Sequence, residues 1–529
     1  MKAILSVLIS FLIYSQVSAQ TVARGYVYED TNENNKKERR EKGIPGVSVS
    51  NGVDVVQTDS KGYYELPVGN DNILFVIKPS GYKVPLNNLN QPLYYYIHKP
   101  LGSPADFKYK GSEPTGKLPK SVDFALIPYD EPTTFTSLIF GDPQAYNLEE
   151  IDYFSKGIIA ELEGIENIGF GLSLGDLVGD DLVLHNPYVQ AVSKVGVPWY
   201  NLMGNHDMNY EATTDSLSDE TYEANFGPAN YSFNYGNAHF IVLDNILYPD
   251  PRDSQGYWGG FRKDQLDFVE NNLKFVSKDK LIVLAFHIPL LSEGNGADGP
   301  FRLADRQRLF DILKDYPNTL SMSAHTHLQR HNLYGKEEGW HQEKHHHEYN
   351  AGTTSGDWYS GEFNEQGVPS STMRDGTPKG YAFLTIDDNQ YKINYKVAGK
   401  PKEYQMEIFT PKVVAQGRNT SAGIYVNFFM GREGDKVEYR IGNGEWATMS
   451  YVADTDPVYV SQLYKWDLAE ELLKGRRPSN AVVSTHLWRA NIPARTLPVG
   501  SHKIEVRATD MFGNIFTEAK TFRVEEAKK

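Results

Sequence analysis

The chain has 529 residues, more than one ordinary domain holds, so about two to four domains are expected. Hydrophobic residues make up 40% and charged residues 23%, the balance of a soluble globular protein with a sizeable core. A formal net charge of -15 argues against a nucleic-acid polymer as partner, which would call for a basic face. It leaves a small anionic substrate open, because bound metal ions set the local charge.

The chain starts Met1-Lys2, runs through an apolar stretch at 3–14 and reaches Val17-Ser18-Ala19 before Gln20. A positive start, a short apolar region and a small-x-small end are the marks of an export signal at 1–19, cut after Ala19. The stretch is too short for a stable membrane anchor, and no later segment is long enough to span a bilayer. The sequence contains no cysteine, which removes disulfides, thiolate ligands and a lipidated Cys. A periplasmic or secreted protein is expected.

Residues 20–128 read as a small all-β sandwich, with strands at 23–28 and 47–50 and a turn at 59–62 feeding a strand. Asp30, Asn32 and Asn34 alternate along a polar loop, as calcium ligands do. For want of an acidic anchor, the loop is read as a solvated hairpin connection. Residues 129–396 alternate strands with amphipathic helices at 148–162, 263–276 and 306–313. Asn147 is the expected N-cap of the first helix, with Glu149 and Glu150 in its first turn. Residues 397–529 return to β structure, with strands at 423–428, 437–441, 501–508 and 517–524. A hairpin turn is expected at 510–514, and one helical insert at 463–474.

The middle region carries the chemistry. Five β-rich runs, at 135–140, 168–174, 197–203, 281–286 and 319–323, end on metal-ligand side chains. The ends read Gly141-Asp142-Pro143-Gln144, Gly175-Asp176, Gly204-Asn205-His206-Asp207, His287 and Ala324-His325-Thr326-His327. In α/β sheets, ligands gather beyond the carboxyl ends of strands, so these loops are expected to converge on one crevice. Asp142, Gln144, Asp176, Asn205, His287, His325 and His327 form a mixed oxygen and imidazole set suited to Mn, Fe or Zn. Seven donors are too many for one tetrahedral ion, and suit two ions about 3.5–4 Å apart sharing a carboxylate.

With these motifs in this order, and Asp180 following Asp176, the chain resembles the calcineurin-like metallophosphoesterases over roughly half its length. It looks most like a secreted bacterial subgroup with dedicated N- and C-terminal β-domains. The resemblance implies an α/β fold, a metallophosphoesterase-type β-sandwich flanked by helices, between N-terminal and C-terminal all-β sandwiches. It implies that Asp142, Gln144 and His327 hold one metal, that Asn205, His287 and His325 hold the other, and that Asp176 bridges them. His206, with Asp207 beside it, would contact phosphate and protonate the leaving oxygen while a metal-bridging hydroxide attacks phosphorus in line. Gln144 stands where the family usually has His, and Ala324 where it usually has Gly. The first metal site is therefore expected to bind more weakly, or to prefer a harder ion such as Mn or Mg.

Further along, Trp358 and Tyr359 are candidates to stack on a sugar or base, or to pack against the C-terminal domain. Arg374 is a candidate clamp for a second phosphate oxygen, or a surface Arg paired with Asp375. His345, His346 and His347 form a run that suggests a third metal or, for most of it, plain loop structure. The expected activity is hydrolysis of a phosphate monoester or diester, from a small molecule or a glycan. Cleavage of a pyrophosphate linkage in a nucleotide or nucleotide sugar, and a catalytically weak glycan or cell-surface binder, stand as alternatives.

Overall fold

A computed structural model describes residues 21–291 and 300–527. The expected export signal at 1–19 lies outside them. Among the described residues no helix is long and apolar enough to cross a membrane.

The N-terminal region is a sandwich of two four-stranded sheets. One orders the strands Tyr63–Val68, Thr21–Glu29, Phe124–Pro128 and Tyr82–Lys83, and the other Val55–Gln57, Ser48–Ser50, Asn72–Val76 and Tyr95–His98. Alternation along Tyr63–Val68 buries Tyr64, Leu66 and Val68, the pattern of a strand with one face on a core. This unit is welded to the middle of the chain. Phe75 meets Phe268 edge-on at 5.7 Å, and the buried Lys99 ammonium lies 2.7 Å from Glu220 and 2.9 Å from Glu223. Burying a lysine is tolerable only with such partners.

Two further sheets form the middle sandwich. The five-stranded sheet orders Trp199–Asn201, Ile168–Ser173, Thr134–Phe140, Gly380–Asp387 and Gln390–Val397, the first three parallel. The six-stranded sheet orders Tyr231–Tyr235, Ala238–Val242, Leu281–Ala285, Thr319–Ser323, His346–Asn350 and Arg330–Tyr334, with four parallel strands at its centre. Phe170 from one sheet meets Phe233 at 5.3 Å and Phe240 at 5.2 Å from the other, and such aromatic pairs bind the two faces. Helices Leu148–Gly157, Lys263–Leu273 and Leu303–Leu313 lie at the expected places. The first is shorter than expected, because the chain turns into a three-ten segment, Ile159–Glu161, after Gly157.

The C-terminal region pairs a four-stranded with a five-stranded sheet around its own core of Ile424, Val426, Trp488, Ile504 and Val506. Gly500–Thr509 and Ile515–Glu525 form the expected hairpin around 510–514. The helical insert is Pro457–Asp467, earlier than the expected 463–474. Asp456 caps it by accepting the Tyr459 N–H, and Pro457 opens it, a start signal that hydrophobic spacing alone passes over.

The histidine run corrects a second expectation. His346 and His347 lie in a buried strand and, as neighbours in a strand must, face opposite sides. His346 sits between the hydroxyls of Thr319 (2.8 Å) and Ser321 (2.6 Å), and burial pushes it down to about 3. His347 pairs with Tyr391 and His331 at 2.8 and 2.9 Å. His345 is exposed. The three cannot share an ion; two of them are core residues.

Candidate metal centre

Both middle sheets deliver ligand residues to one edge. Strands of the five-stranded sheet run out into Asp142, Asp176 and Asn205, and strands of the six-stranded sheet into His287 and His325. At these exits the backbone turns left-handed at Asp142 (φ +32°), Gln144 (+35°), Asp176 (+45°), His325 (+67°) and His327 (+52°). Each such non-glycine residue costs on the order of 1 kcal/mol or more, a cost that persists only where surrounding structure imposes it. Two glycines make room for the cluster. A Cβ on Gly204 would fall 2.0 Å from the Asp176 nitrogen, and one on Gly175 would fall 2.6 Å from His287 Nδ1.

The side chains then fix one another. His287 Nδ1–H donates to the Leu174 carbonyl at 2.8 Å, which turns Nε2 inward. There Nε2 lies 3.2 Å from each of Asp176 Oδ2, Asn205 Oδ1 and His325 Nδ1. Asp142 is fully buried, accepts the His325 N–H, and stands 3.9 Å from both His287 and His327 Nε2. His327 Nδ1–H donates to the Gly356 carbonyl at 2.7 Å, which likewise frees its Nε2. Gln144 N–H donates to the Asp176 carbonyl at 2.8 Å, while its side-chain Oε1 is buried without a partner. Asp176, His287 and His325 each offer a ligand atom within 4.8 Å of the others.

Electrostatics follow from this crowding. Burial, with Asp176 alongside, pushes the Asp142 carboxyl up, whereas Asp176 is held well below the usual range, against burial, by His287 and His206. Burial opposes the charge on His287, but Asp176 outweighs it and pushes His287 up to about 9. Burial pushes His325 down to about 3 and His327 down to about 4. A proton can satisfy the His287–Asp176 pair, but His325 and His327 resist protonation and the Gln144 oxygen stays unpartnered. The donors present, with an orphaned amide oxygen and imidazole nitrogens facing other acceptors, fit divalent cations.

His206 borders the cluster and is partly exposed. Its backbone N–H donates to Asp176 Oδ1 at 2.8 Å, and its ring Nδ1 pairs with Asp180 at 2.6 Å. Burial opposes its protonation, yet Asp176 and Asp180 together push it up to about 9. Tyr210 donates to the Asn205 carbonyl at 2.8 Å and to Asp180 at 3.1 Å.

Asp207 corrects the expectation that grouped it with His206 as a catalytic group. It is fully buried, and its carboxylate accepts the N–H groups of Leu177 (3.1 Å), Val178 (3.3 Å) and Gly204 (2.9 Å), with His185 at 3.1 Å. It ties the Asp176 turn to the Asn205 turn, which is a positioning role.

Trp358 stacks on the His327 ring, centroids 4.2 Å apart. Tyr359 is buried, its hydroxyl donating to the Pro143 carbonyl at 2.6 Å. Arg374 is not paired with Asp375, whose carboxylate is taken by Gln329 N–H, Thr377 N–H and His486. Its guanidinium lies 5.6 Å from the Trp358 ring, Nη2 donates to the Thr326 carbonyl at 3.0 Å, and Nε is buried without a partner. The C-terminal region reaches this loop: Ser479 N–H donates to Asp357 at 2.7 Å, and Asn427 to the Asp375 carbonyl at 2.9 Å. Sequence reasoning had no means to find the Leu174 and Gly356 carbonyls or Ser479, since backbone acceptors and long-range braces leave no residue signature.

Comparison with known proteins gives the family. Residues 135–329 match a model described as calcineurin-like phosphoesterase, 31–113 its N-terminal and 348–516 its C-terminal counterpart. A search of curated proteins returns no match. Among solved structures, a purple acid phosphatase from yellow lupin (Lupinus luteus) seeds aligns at 15% identity over 68% of this chain and 69% of that one, TM-score 0.36. A cold-active protein-tyrosine phosphatase from a Shewanella species aligns at 11% identity over 66% and 98%, TM-score 0.22. At such scores neither likeness carries an argument; the three family models do. The chain belongs to the calcineurin-like phosphoesterases and carries that family's N-terminal and C-terminal domains around its metallophosphoesterase core.

Proposed function

We propose that this protein is an exported hydrolase of phosphate monoesters or diesters that works with two divalent ions, Mn, Fe or Zn. One observation carries the reading: His287 Nε2, freed by its Nδ1–H bond to Leu174, meets Asp176, Asn205 and His325 at 3.2 Å, donors in search of a cation. Asp142, Gln144 and His327 would hold one ion, Asn205, His287 and His325 the other, and Asp176 both. The ions, when bound, supply Lewis-acid polarisation of the phosphoryl oxygens and an acidified water. The protein's own part is orientation and proton delivery. Asp180 holds His206 through Nδ1, which leaves Nε2 to contact the phosphoryl group and to hand a proton to the leaving oxygen. Export rests on residues 1–19 alone.

A second reading, cleavage of a pyrophosphate linkage, is favoured by Arg374. Its buried, unpartnered Nε beside Trp358 would suit a substrate with a second anionic group and a flat ring.

The test is hydrolysis of aryl phosphate monoesters, diesters and nucleoside diphosphate sugars by metal-stripped protein reloaded with Mn, Zn, Fe or Mg. Turnover that needs metal and is lost in Asp176→Asn and His206→Ala supports the reading, and the substrate ratio selects the class. Absence of both turnover and metal uptake would leave the binding-protein alternative.

A further inference from the structure

The loop that leaves the strand Thr21–Glu29 holds oxygen donors of its own. Asp30, Asn32 and Asn34 occupy positions one, three and five of a segment whose twelfth residue is Glu41. A calcium loop of twelve residues takes side-chain oxygens at one, three and five, a backbone carbonyl at seven, a ligand at nine and an acidic anchor at twelve. Here position seven is Lys36 and position nine is Glu38. Position six needs a sharp left-handed turn and is usually glycine; it is Asn35, with φ +56°. The expectation of a solvated hairpin rested on the lack of an acidic anchor, and Glu41 supplies that anchor.

The side chains point to a ligand independently of the spacing. Glu41 is 8% exposed, its Oε2 accepts the Glu38 N–H at 2.8 Å, and its Oε1 is buried with no partner. Asp30 is wholly buried and accepts the N–H groups of Asn34 (3.2 Å) and Asn35 (2.7 Å). Those bonds wrap the chain around the Asp30 carboxylate. Burial, then the charges of Asp30 and Glu41, push the Tyr28 hydroxyl up, so both carboxylates converge on one neighbourhood. The basic side chains of the loop do not serve them: Lys36, Arg39, Arg40 and Lys42 are exposed, and Lys37 sits 4.9 Å over the Tyr26 ring. A buried carboxylate oxygen without a donor is unfavourable, and a cation held between Asp30 and Glu41 removes that penalty.

We propose that residues 30–41 bind one calcium ion through Asp30, Asn32, Asn34, the Lys36 carbonyl, Glu38 and Glu41. The ion would staple the loop to the sandwich, since Glu29 N–H already meets the Lys42 carbonyl at 2.9 Å and Ile44 N–H the Val27 carbonyl at 2.8 Å. An all-oxygen cage with flexible geometry favours calcium over the transition metals expected at the imidazole-rich centre.

The test is calorimetric titration of the chelator-treated full chain with calcium chloride, alongside Glu41→Gln and Asp30→Ala. The wild type is expected to bind one more calcium ion per chain than either variant, or the variants to bind it at least about tenfold more weakly. Its melting midpoint should rise on calcium addition, and theirs should not. Equal uptake and equal affinity in wild type and Glu41→Gln would overturn the proposal, as would no uptake by the wild type. Near-UV circular dichroism checks that the variants are folded. Should Asp30→Ala fail that check, Glu41→Gln, which keeps the side-chain volume, decides.

Discussion

Replacing Asp207 with Asn keeps its shape and removes its charge, and the result distinguishes a positioning carboxylate from a catalytic one. Asp207 Oδ2 accepts two backbone N–H groups, from Leu177 and Gly204, and Oδ1 accepts Val178 N–H and faces His185 Nε2. An asparagine supplies one oxygen, and its amide nitrogen then faces N–H donors that it cannot accept from. With the oxygen at Oδ1 the Leu177 and Gly204 bonds are lost; with it at Oδ2 only the Val178 bond is lost, because the amide nitrogen can donate to His185 Nε2. Hydrogen bonds to a charged group are worth about 1.5–3 kcal/mol each, so the loss is at least about 1.5–3 kcal/mol. In a domain of this size that lowers the melting midpoint by about 3 °C or more. Scanning calorimetry of the metal-free proteins measures it, and metal analysis after reloading shows whether the Asp176 and Asn205 turns still hold ions. Unchanged melting together with full metal content and a collapsed kcat would refute the reasoning, because the carboxylate would then be acting on the substrate.

Two more outcomes follow from the geometry. Gly204→Ala places a methyl 2.2 Å from Asp176 Oδ1, so the Asp176 carboxylate must move and bound metal should fall below half of wild type, measured by plasma emission. Asp357→Ala removes the brace from Ser479 to the loop whose Gly356 carbonyl orients His327. Loss of such an outer partner costs about 10–100-fold in metal affinity, so in the proposed two-ion centre the ion at His327 should dissociate far more readily while the one at His287 stays. Equal retention of both ions would show that the C-terminal domain does not support the centre.

The strands were legible because each is specified within a few residues. Alternating or continuous β-branched and aromatic runs, stopped by Gly-Asp or Gly-Asn, encode both the strand and the turn that ends it. The ligand series was legible for the same reason, since His325 and His327, or Asn205 and His206, are neighbours in the chain. The calcium-type spacing from Asp30 to Glu41 is equally local.

What the tertiary structure alone decided is where side chains point once distant segments pack. Asp207 reads as half of a catalytic pair beside His206, yet its carboxylate is claimed by the 177–178 turn and His185. His346 and His347 read as plain loop residues or as ligands of a third metal, yet pairing with the strands Thr319–Ser323 and Arg330–Tyr334 carries them into the core. Arg374 reads equally as a phosphate clamp or as the partner of Asp375, and the second falls away because His486, far along the chain, occupies that carboxylate. Local sequence sets backbone preference, because φ and ψ answer to near neighbours. Which buried polar group satisfies which is settled only when two sheets and a third domain close over them, since each donor left unpaired in that interior is costly.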